Sequence, residues 1–418
     1  MYLNHLSLTN FRNFARLDID VPAGPVLLVG DNAQGKTSLL EAVYFLATFI
    51  SFHAANDRQL MNLTAAREPL AVSRIVAQFC RSEGSPNIVK SKNHRLEIRI
   101  IIEDPQPSGI SRLRKEIFLN GAKQKANETI GIFNAVLFLP QMLRIIEGSP
   151  EDRRRYINLA MAQILPNYAE RLTSYAQILS QRNALLKQLS ERGIDLSGAA
   201  SQLGYWDEQL ARTGADIMYM RIQTLNELEL LATHIHRELT HGKEVLRINY
   251  QPSYEPLPAM PGQLSMRLDT SLDRSGISQE KIFRGFLEQL DRLRGEEIAR
   301  GVTVSGPHRD EIRFLANQLD LGTYGSRGQA RTAVLSLKLA EVAWMKQHSG
   351  DWPVLLLDEV LAELDPLRRA DLLARLLETE QSLMTTTDLD LFTSTFVQNA
   401  QLWHIKSGQI VKPDDQGV

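Results

Sequence analysis

Short uninterrupted apolar runs stand near both ends of the chain, and apolar residues at helical spacing fill its middle. Pro25-Val26-Leu27-Leu28-Val29 and Val354-Leu355-Leu356-Leu357 lack the alternation of a half-solvated strand. They predict strands covered on both faces, as in a parallel sheet. His94-Arg95-Leu96-Glu97-Ile98-Arg99-Ile100 does alternate, and predicts a strand with one wet face. Residues 105–109 and Asn120-Gly121 read as turns. Residues 151–193, broken at Pro166, carry the helical period, as do 201–239, 277–300 and 330–346. A further strand is expected at 245–250, followed by a proline-rich loop at 251–261. No heptad pattern persists long enough for an extended coiled-coil arm.

Composition narrows the class. The 418 residues are 43% hydrophobic and 23% charged, which argues for a packed core and against disorder. Lys plus Arg number 47 against 49 Asp plus Glu, so any nucleic-acid contact has to come from a local patch. One such patch spans 90–125, with nine Lys or Arg against four acids, and Arg153-Arg154-Arg155 is a second. Basic side chains along a sheet can track phosphates without reading sequence. A solvated face, or pairing with neighbouring acids one helical turn away, is the ordinary alternative. The single cysteine, Cys80, excludes an intrachain disulfide and a thiolate zinc site. The first residues lack the apolar core of a signal peptide. The uncharged stretch 42–56 is too short and polar to span a bilayer. The expectation is a soluble, cytoplasmic protein with no membrane partner.

The first apolar run leads into Gly30-Asp31-Asn32-Ala33-Gln34-Gly35-Lys36-Thr37 and then into a helix-forming stretch. This is the phosphate-binding P-loop pattern, GxxxxGK[ST] between strand and helix. Glycines let backbone N–H groups converge on a phosphate, and the helix dipole adds to the attraction. Lys36 should reach the β and γ phosphates of ATP from a solvent-facing position. The Thr37 hydroxyl should ligate Mg²⁺. The second run ends in Asp358-Glu359. At the carboxyl end of such a strand Asp358 would sit near the Mg²⁺. Glu359 would be the base for an attacking water.

Tyr324-Gly325-Ser326-Arg327-Gly328-Gln329 stands before the helix expected at 330–346. A serine and free amides at a helix N-terminus form a second anion site, or simply a helix cap. The order of P-loop, S-x-G-Q and apolar-Asp-Glu resembles ABC-type ATPases. There the signature loop of one subunit closes over the γ-phosphate held by the other, which would put Ser326, Gly328 and Gln329 at a shared nucleotide and make Ser326 catalytic. On the same template Gln141 is a candidate Mg²⁺ sensor. Residues 361–365 become a loop facing the partner subunit, and 383–388 the next strand and its switch loop. ABC proteins often carry a histidine in that loop; here Thr385-Thr386-Thr387-Asp388 stands instead. Thr37 and Ser326 are 289 residues apart, more than a transporter nucleotide-binding subunit allows, so a lobe is inserted between them.

The whole pattern resembles the RecF family of bacterial recombination-repair proteins, itself similar to SMC-type ABC heads without the long coiled coil. The matching stretches are Leu8 with Thr9-Asn10-Phe11-Arg12-Asn13-Phe14, the P-loop, Gly148-Ser149-Pro150-Glu151-Asp152-Arg153-Arg154, Gly306-Pro307-His308-Arg309-Asp310-Glu311, 325–329 and 355–365. Ser51-Phe52-His53-Ala54-Ala55 departs from the family's Ser-x-Arg-Thr, and extra residues stand near 83–91 and at the C-terminus. The resemblance implies an α/β ABC-type ATPase head with a mixed sheet and an inserted helical lobe. Its expected parts are head residues 1–145, lobe residues 146–300 and head residues 301–418, the last carrying the signature and the acidic strand. It also implies Arg12 near the nucleotide and an ATP-dependent homodimer on single-stranded or gapped duplex DNA. A weak DNA-stimulated ATPase, recombinase loading, the SOS response and RecO- and RecR-type partners belong to the same implication. A transporter motor subunit and the ATPase head of a nuclease or defence complex are the competing classes.

Overall fold

The computed structural model describes residues 1–83, 90–103, 112–192, 196–257 and 272–411. The turn expected at 105–109, most of the 83–91 insertion, the end of the 251–261 loop and the extra C-terminal residues lie outside them. Strands β1 (Tyr2–Phe11), β2 (Phe14–Asp20) and β3 (Gly24–Val29) precede helix α1 (Lys36–Thr48). Strands β4 (Leu70–Glu83), β5 (Lys90–Glu103), β6 (Arg112–Leu119), β7 (Ala122–Gln124) and β8 (Ala135–Phe138) follow. The middle holds α2 (Pro150–Ile164), α3 (Tyr168–Arg192), α4 (Leu196–Leu239), β9 (Leu246–Gln251), α5 (Gln279–Arg300), β10 (Glu311–Ala316) and β11 (Leu319–Asp320). Helix α6 (Arg327–Ser349) leads to β12 (Val354–Asp358), α7 (Pro366–Leu377), β13 (Gln381–Thr386), β14 (Gln401–Lys406) and β15 (Gln409–Val411).

Two compact units result: Met1–Met142 with Glu341–Val418, and Leu143–Ala340. The first carries two six-stranded sheets. In one, ordered β15-β14-β3-β13-β12-β8, every pair but β14–β15 is parallel. Strand β12 has no exposed residue and β13 none either, as their apolar runs require. The other sheet, β2-β1-β4-β5-β6-β7, is antiparallel throughout. One apolar cluster joins Leu39, Val43 and Leu46 of α1 to Leu6 and Ile98 of the antiparallel sheet and to Val26 and Leu356 of the parallel one. Each such side chain contributes about 2 kcal/mol of burial. Helix α1 is therefore clamped between two apolar surfaces, and the turn before it is fixed with it.

The second unit differs from the lobe expected at 146–300. It extends to Ala340, and within it β10 pairs antiparallel with β9, Glu311 opposite Gln251 through Ala316 opposite Leu246. Residues 301–340, including the signature-like loop, fall in this unit and not in the expected C-terminal part of the head. The unit is also not purely helical, since β9, β10 and β11 form a three-stranded sheet. Local signals set its helix boundaries. Ser149 accepts from Asp152 N–H in a capping box with Pro150 in the first turn of α2. Ser278 caps α5 and Gly301 ends it in left-handed backbone. Among the described residues no helix is long and apolar enough to cross a membrane.

Candidate functional site

The P-loop residues occupy the turn between β3 and α1. Gly35, with φ 116°, caps α1 without a side chain accepting from the first-turn N–H groups, which stay free for an anion. Ala33 is left-handed at φ 64°, so successive amides can turn inward as a nest. A Cβ on Gly35 would come within 2.6 Å of Asn13 Nδ2, and one on Gly30 within 2.5 Å of the Ile405 carbonyl oxygen. Gln34 is tied to the β14–β15 turn: its carbonyl accepts from Gly408 N–H at 2.9 Å and its Oε1 from Ser407 N–H at 2.7 Å. Asp31 and Asn32 are exposed.

Lys36 is not solvent-facing as the pattern suggested. It is 4% exposed, and its ammonium donates to the carbonyls of Gly30 and Asp31 at 2.5 and 3.1 Å, with Glu359 at 3.9 Å. The turn folds back over its own lysine and satisfies the charge locally.

The acidic strand end meets the P-loop directly. Thr37 Oγ1 donates to Asp358 at 2.9 and 3.1 Å, and Thr385 Oγ1 donates to the same carboxylate at 2.7 Å. Strand β13 lies between β3 and β12, with Thr385 in register with both Leu28 and Asp358. Thr385 also accepts the Glu359 N–H at 3.0 Å. Glu359 has φ 51° and stands half-exposed. Of the 383–388 stretch expected as the next strand and its switch loop, Thr385 lies within the strand, and its position at the buried end makes it a support for both acids. A run of threonines closing an apolar strand was the available signal.

Arg12 reaches the same pocket from the β1–β2 turn, with φ 51°. Its guanidinium makes two 2.7 Å hydrogen bonds to buried Glu41 of α1 and a third, at 2.9 Å, to the Gln59 carbonyl. Ser51, in the stretch that departs from the family pattern, donates to Glu41 at 2.5 Å and accepts from the N–H groups of His53 and Ala54. An open pocket of about 760 Å³ runs from Lys36, Thr37 and Glu359 past Arg12 to Met61, Leu63 and Thr64. The 61–64 wall was not foreseen. It is built from long-range backbone contacts, the Met61 bridge to Phe11 and Asn62 N–H to Asn10 carbonyl at 2.8 Å, which leave no local motif. Gln141 is exposed on a short 3₁₀ turn after β8 and is not among the pocket residues.

Ser326, Gly328 and Gln329 belong to the second unit, at the start of α6, and do not line this pocket. Ser326 and Gly328 are exposed. Ser326 Oγ accepts the Gln329 N–H at 3.2 Å and Gln329 Oε1 accepts the Ser326 N–H at 3.0 Å, a reciprocal cap. The helix-cap alternative is thus present, and it leaves the loop on the surface.

Both basic patches are largely committed inside the chain. Arg74 and then Arg99 hold the Glu97 carboxyl down to about 2. Lys115 spans the Phe49 carbonyl and Asp57 at 2.9 Å, and Arg114 lies 3.5 Å from Glu103 and Glu116. Arg153 grips Glu311, and Arg154 donates to the Asp310 carbonyl at 2.6 Å. In the 306–311 stretch Asp310 is fully buried and takes bonds from Arg221, Tyr250 and the Ser253 N–H. Burial, first of all, lowers the His308 imidazole to about 4, and Tyr175 OH lies 2.8 Å from its Nδ1. These motif residues act as a scaffold for the second unit.

One hydroxyl and one carboxylate facing each other beside uncapped amides suit a hard divalent cation and a polyphosphate. A family model described as the RecF/RecN/SMC N terminal domain matches residues 2–408. A DNA replication and repair protein RecF of Chloroflexus aurantiacus is 36% identical over 415 residues, covering 98% of this chain and 99% of that one. The Bacillus subtilis protein of the same name is 33% identical over 413 residues, 99% of this chain and 100% of that one. A solved structure of the recombination mediator protein RecF-ATP in the RecFOR pathway superposes with TM-score 0.79 at 29% identity, covering 98% of this chain and 97% of that one.

Proposed function

The chain belongs to the RecF/RecN/SMC N terminal domain family, and from that premise we propose that it is an ATP-dependent DNA replication and repair protein of RecF type. ATP binding at the P-loop drives two copies together on single-stranded or gapped duplex DNA, and slow, DNA-stimulated hydrolysis releases them. Mediators of the RecO and RecR kind are the expected cytoplasmic partners, recombinase loading and the SOS response the expected outcomes. The observation that carries the reading is the Thr37–Asp358 contact, which joins the phosphate loop to the acidic strand under one pocket.

The residues divide the work as follows. The Ala33–Gly35 amides and the α1 N-terminus bind phosphate oxygens, and Lys36 exchanges its carbonyl partners for them. Thr37 and Asp358 would hold Mg²⁺, which when bound offsets phosphate charge. Glu359 takes the proton of the attacking water, while Thr385 fixes the backbone that carries it. Arg12, clamped by Glu41, offers a fixed cation at the pocket wall. Ser326, Gly328 and Gln329 of a second copy close over the γ-phosphate.

A mixing experiment tests the shared site. Ser326→Arg should bind ATP but not pair, because the guanidinium fills the partner's phosphate space. Lys36→Met should not pair either. Mixed, the two retain one composite site with intact Lys36 and Ser326, and partial ATP-dependent pairing is expected by sedimentation. No rescue, with normal hydrolysis by Ser326→Arg alone, leaves a monomeric P-loop ATPase.

A further inference from the structure

The cap at Ser326 closes on itself only if the Gln329 carboxamide faces one particular way. Its Oε1 must meet the Ser326 N–H, as it does at 3.0 Å, so its NH₂ must turn outward. There Gln329 Nε2 donates to Glu244 Oε1 at 2.8 Å. A carboxylate only accepts, so Glu244 admits the NH₂ end of the amide and rejects the oxygen. Glu244 lies in the connection between α4 and β9 and is itself fixed: its Oε2 lies 3.2 Å from Nε2 of His236, a fully buried α4 residue. His236 Nδ1 in turn lies 3.0 Å from Ser336 Oγ, nearly three helical turns along α6 from Ser326. All these residues belong to the second unit.

We propose that Glu244 is a positioning residue for the shared site: by choosing the amide orientation of Gln329, it holds the Ser326-Arg327-Gly328 turn in the shape offered to the triphosphate of a second copy. This rests on the function proposed above. Without that orientation, the amide NH₂ can rotate toward the Ser326 N–H, two donors face each other, and the cap opens. Glu244 touches no nucleotide in this scheme and lies outside the P-loop pocket, so it governs pairing and not the first binding of ATP.

The test uses the full chain and three variants. Glu244→Lys puts a donor where an acceptor stands and should turn the amide round. Glu244→Gln keeps the shape and can still present an oxygen. ATP affinity of the unpaired chain is read by calorimetry, and ATP-dependent pairing by sedimentation. Glu244→Lys should bind ATP within about twofold of wild type and pair at least tenfold more weakly, while Glu244→Gln should recover most of the pairing. Mixing Glu244→Lys with Lys36→Met should restore pairing, since the surviving composite site uses Lys36 of the first chain and Ser326, Gln329 and Glu244 of the second. Wild-type pairing by Glu244→Lys overturns the inference alone. So does loss of ATP binding without rescue on mixing, which makes Glu244 a general structural residue. A wild-type chain that stays monomeric with ATP overturns the shared-site reading and this inference with it.

Discussion

Thr37 and Asp358 are 321 residues apart in the chain and hydrogen-bonded to each other, one hydroxyl against both carboxylate oxygens. Strand order makes this possible, since β13 is the single strand separating β3 from β12. A site assembled this way is complete only when both ends of the chain have reached the same sheet.

Thr37→Val keeps the volume and removes the hydroxyl. Asp358 retains Thr385, so the fold should stand. The Mg²⁺ concentration giving half-maximal ATP hydrolysis should rise tenfold or more. An unchanged Mg²⁺ titration would remove Thr37 from the metal-binding role.

Lys36→Met strips the ammonium that donates to the Gly30 and Asp31 carbonyls. Leaving those oxygens unpaired costs about 1–3 kcal/mol. The larger effect should be on ATP: at least a tenfold loss of affinity by calorimetry, with unaltered far-ultraviolet circular dichroism. Wild-type affinity in the variant is the contrary outcome.

Glu359→Gln preserves shape and removes the proton acceptor. A general base contributes roughly 10²–10⁴ in rate. Turnover should fall within that range while ATP binding persists, so the paired, DNA-bound form accumulates. Equal single-turnover rates for variant and wild type would exclude Glu359 as the base.

Acid should loosen the two units in sequence. The His308 pKa is lowered from the ordinary 6.5 to about 4, chiefly by burial, so its contribution is whole above pH 6.5 and lost as pH falls toward 4. Glu97 is lowered from 4.5 to about 2, first by Arg74, so its contribution survives to pH 4.5 and is lost toward pH 2. The His308 shift corresponds to about 3 kcal/mol, and that of Glu97 to less, because its arginine partners face solvent and are screened. Hydrogen exchange at pH 5 should therefore quicken in Leu143–Ala340 while β4 and β5 stay protected. Equal protection in both at pH 5 contradicts the order, and His308→Gln should abolish the early window.

The strands and turns that carry chemistry were legible because each is a local pattern: β3, the P-loop and α1 in one stretch, β12 with its acids in another. The helices of the middle were legible from period, and the α2–α3 break from Pro166. The pairing of β10 with β9 in the second unit was not, because β10 finds its partner across the 251–311 interval, and a short apolar strand does not declare its neighbour. The pocket wall at Met61–Thr64 and the Glu41 clamp on Arg12 depend on the same kind of long-range pairing. Lys36 was misplaced for a different reason. A charged side chain reads as exposed unless its acceptors are known, and here they are carbonyls of its own turn.

Arg12, Ala33 and Glu359 all line the pocket, and all have left-handed backbone, at φ 51°, 64° and 51°. For a residue with a side chain, that conformation costs on the order of 1 kcal/mol or more. Glycine would relieve it at each position. Thermal robustness and catalytic competence are therefore opposed at Glu359. A selection that rewards only survival on heating should drift toward glycine at 359, and return proteins that melt later and no longer turn over ATP, whereas glycine at 33 keeps the phosphate-facing amide and should leave turnover intact.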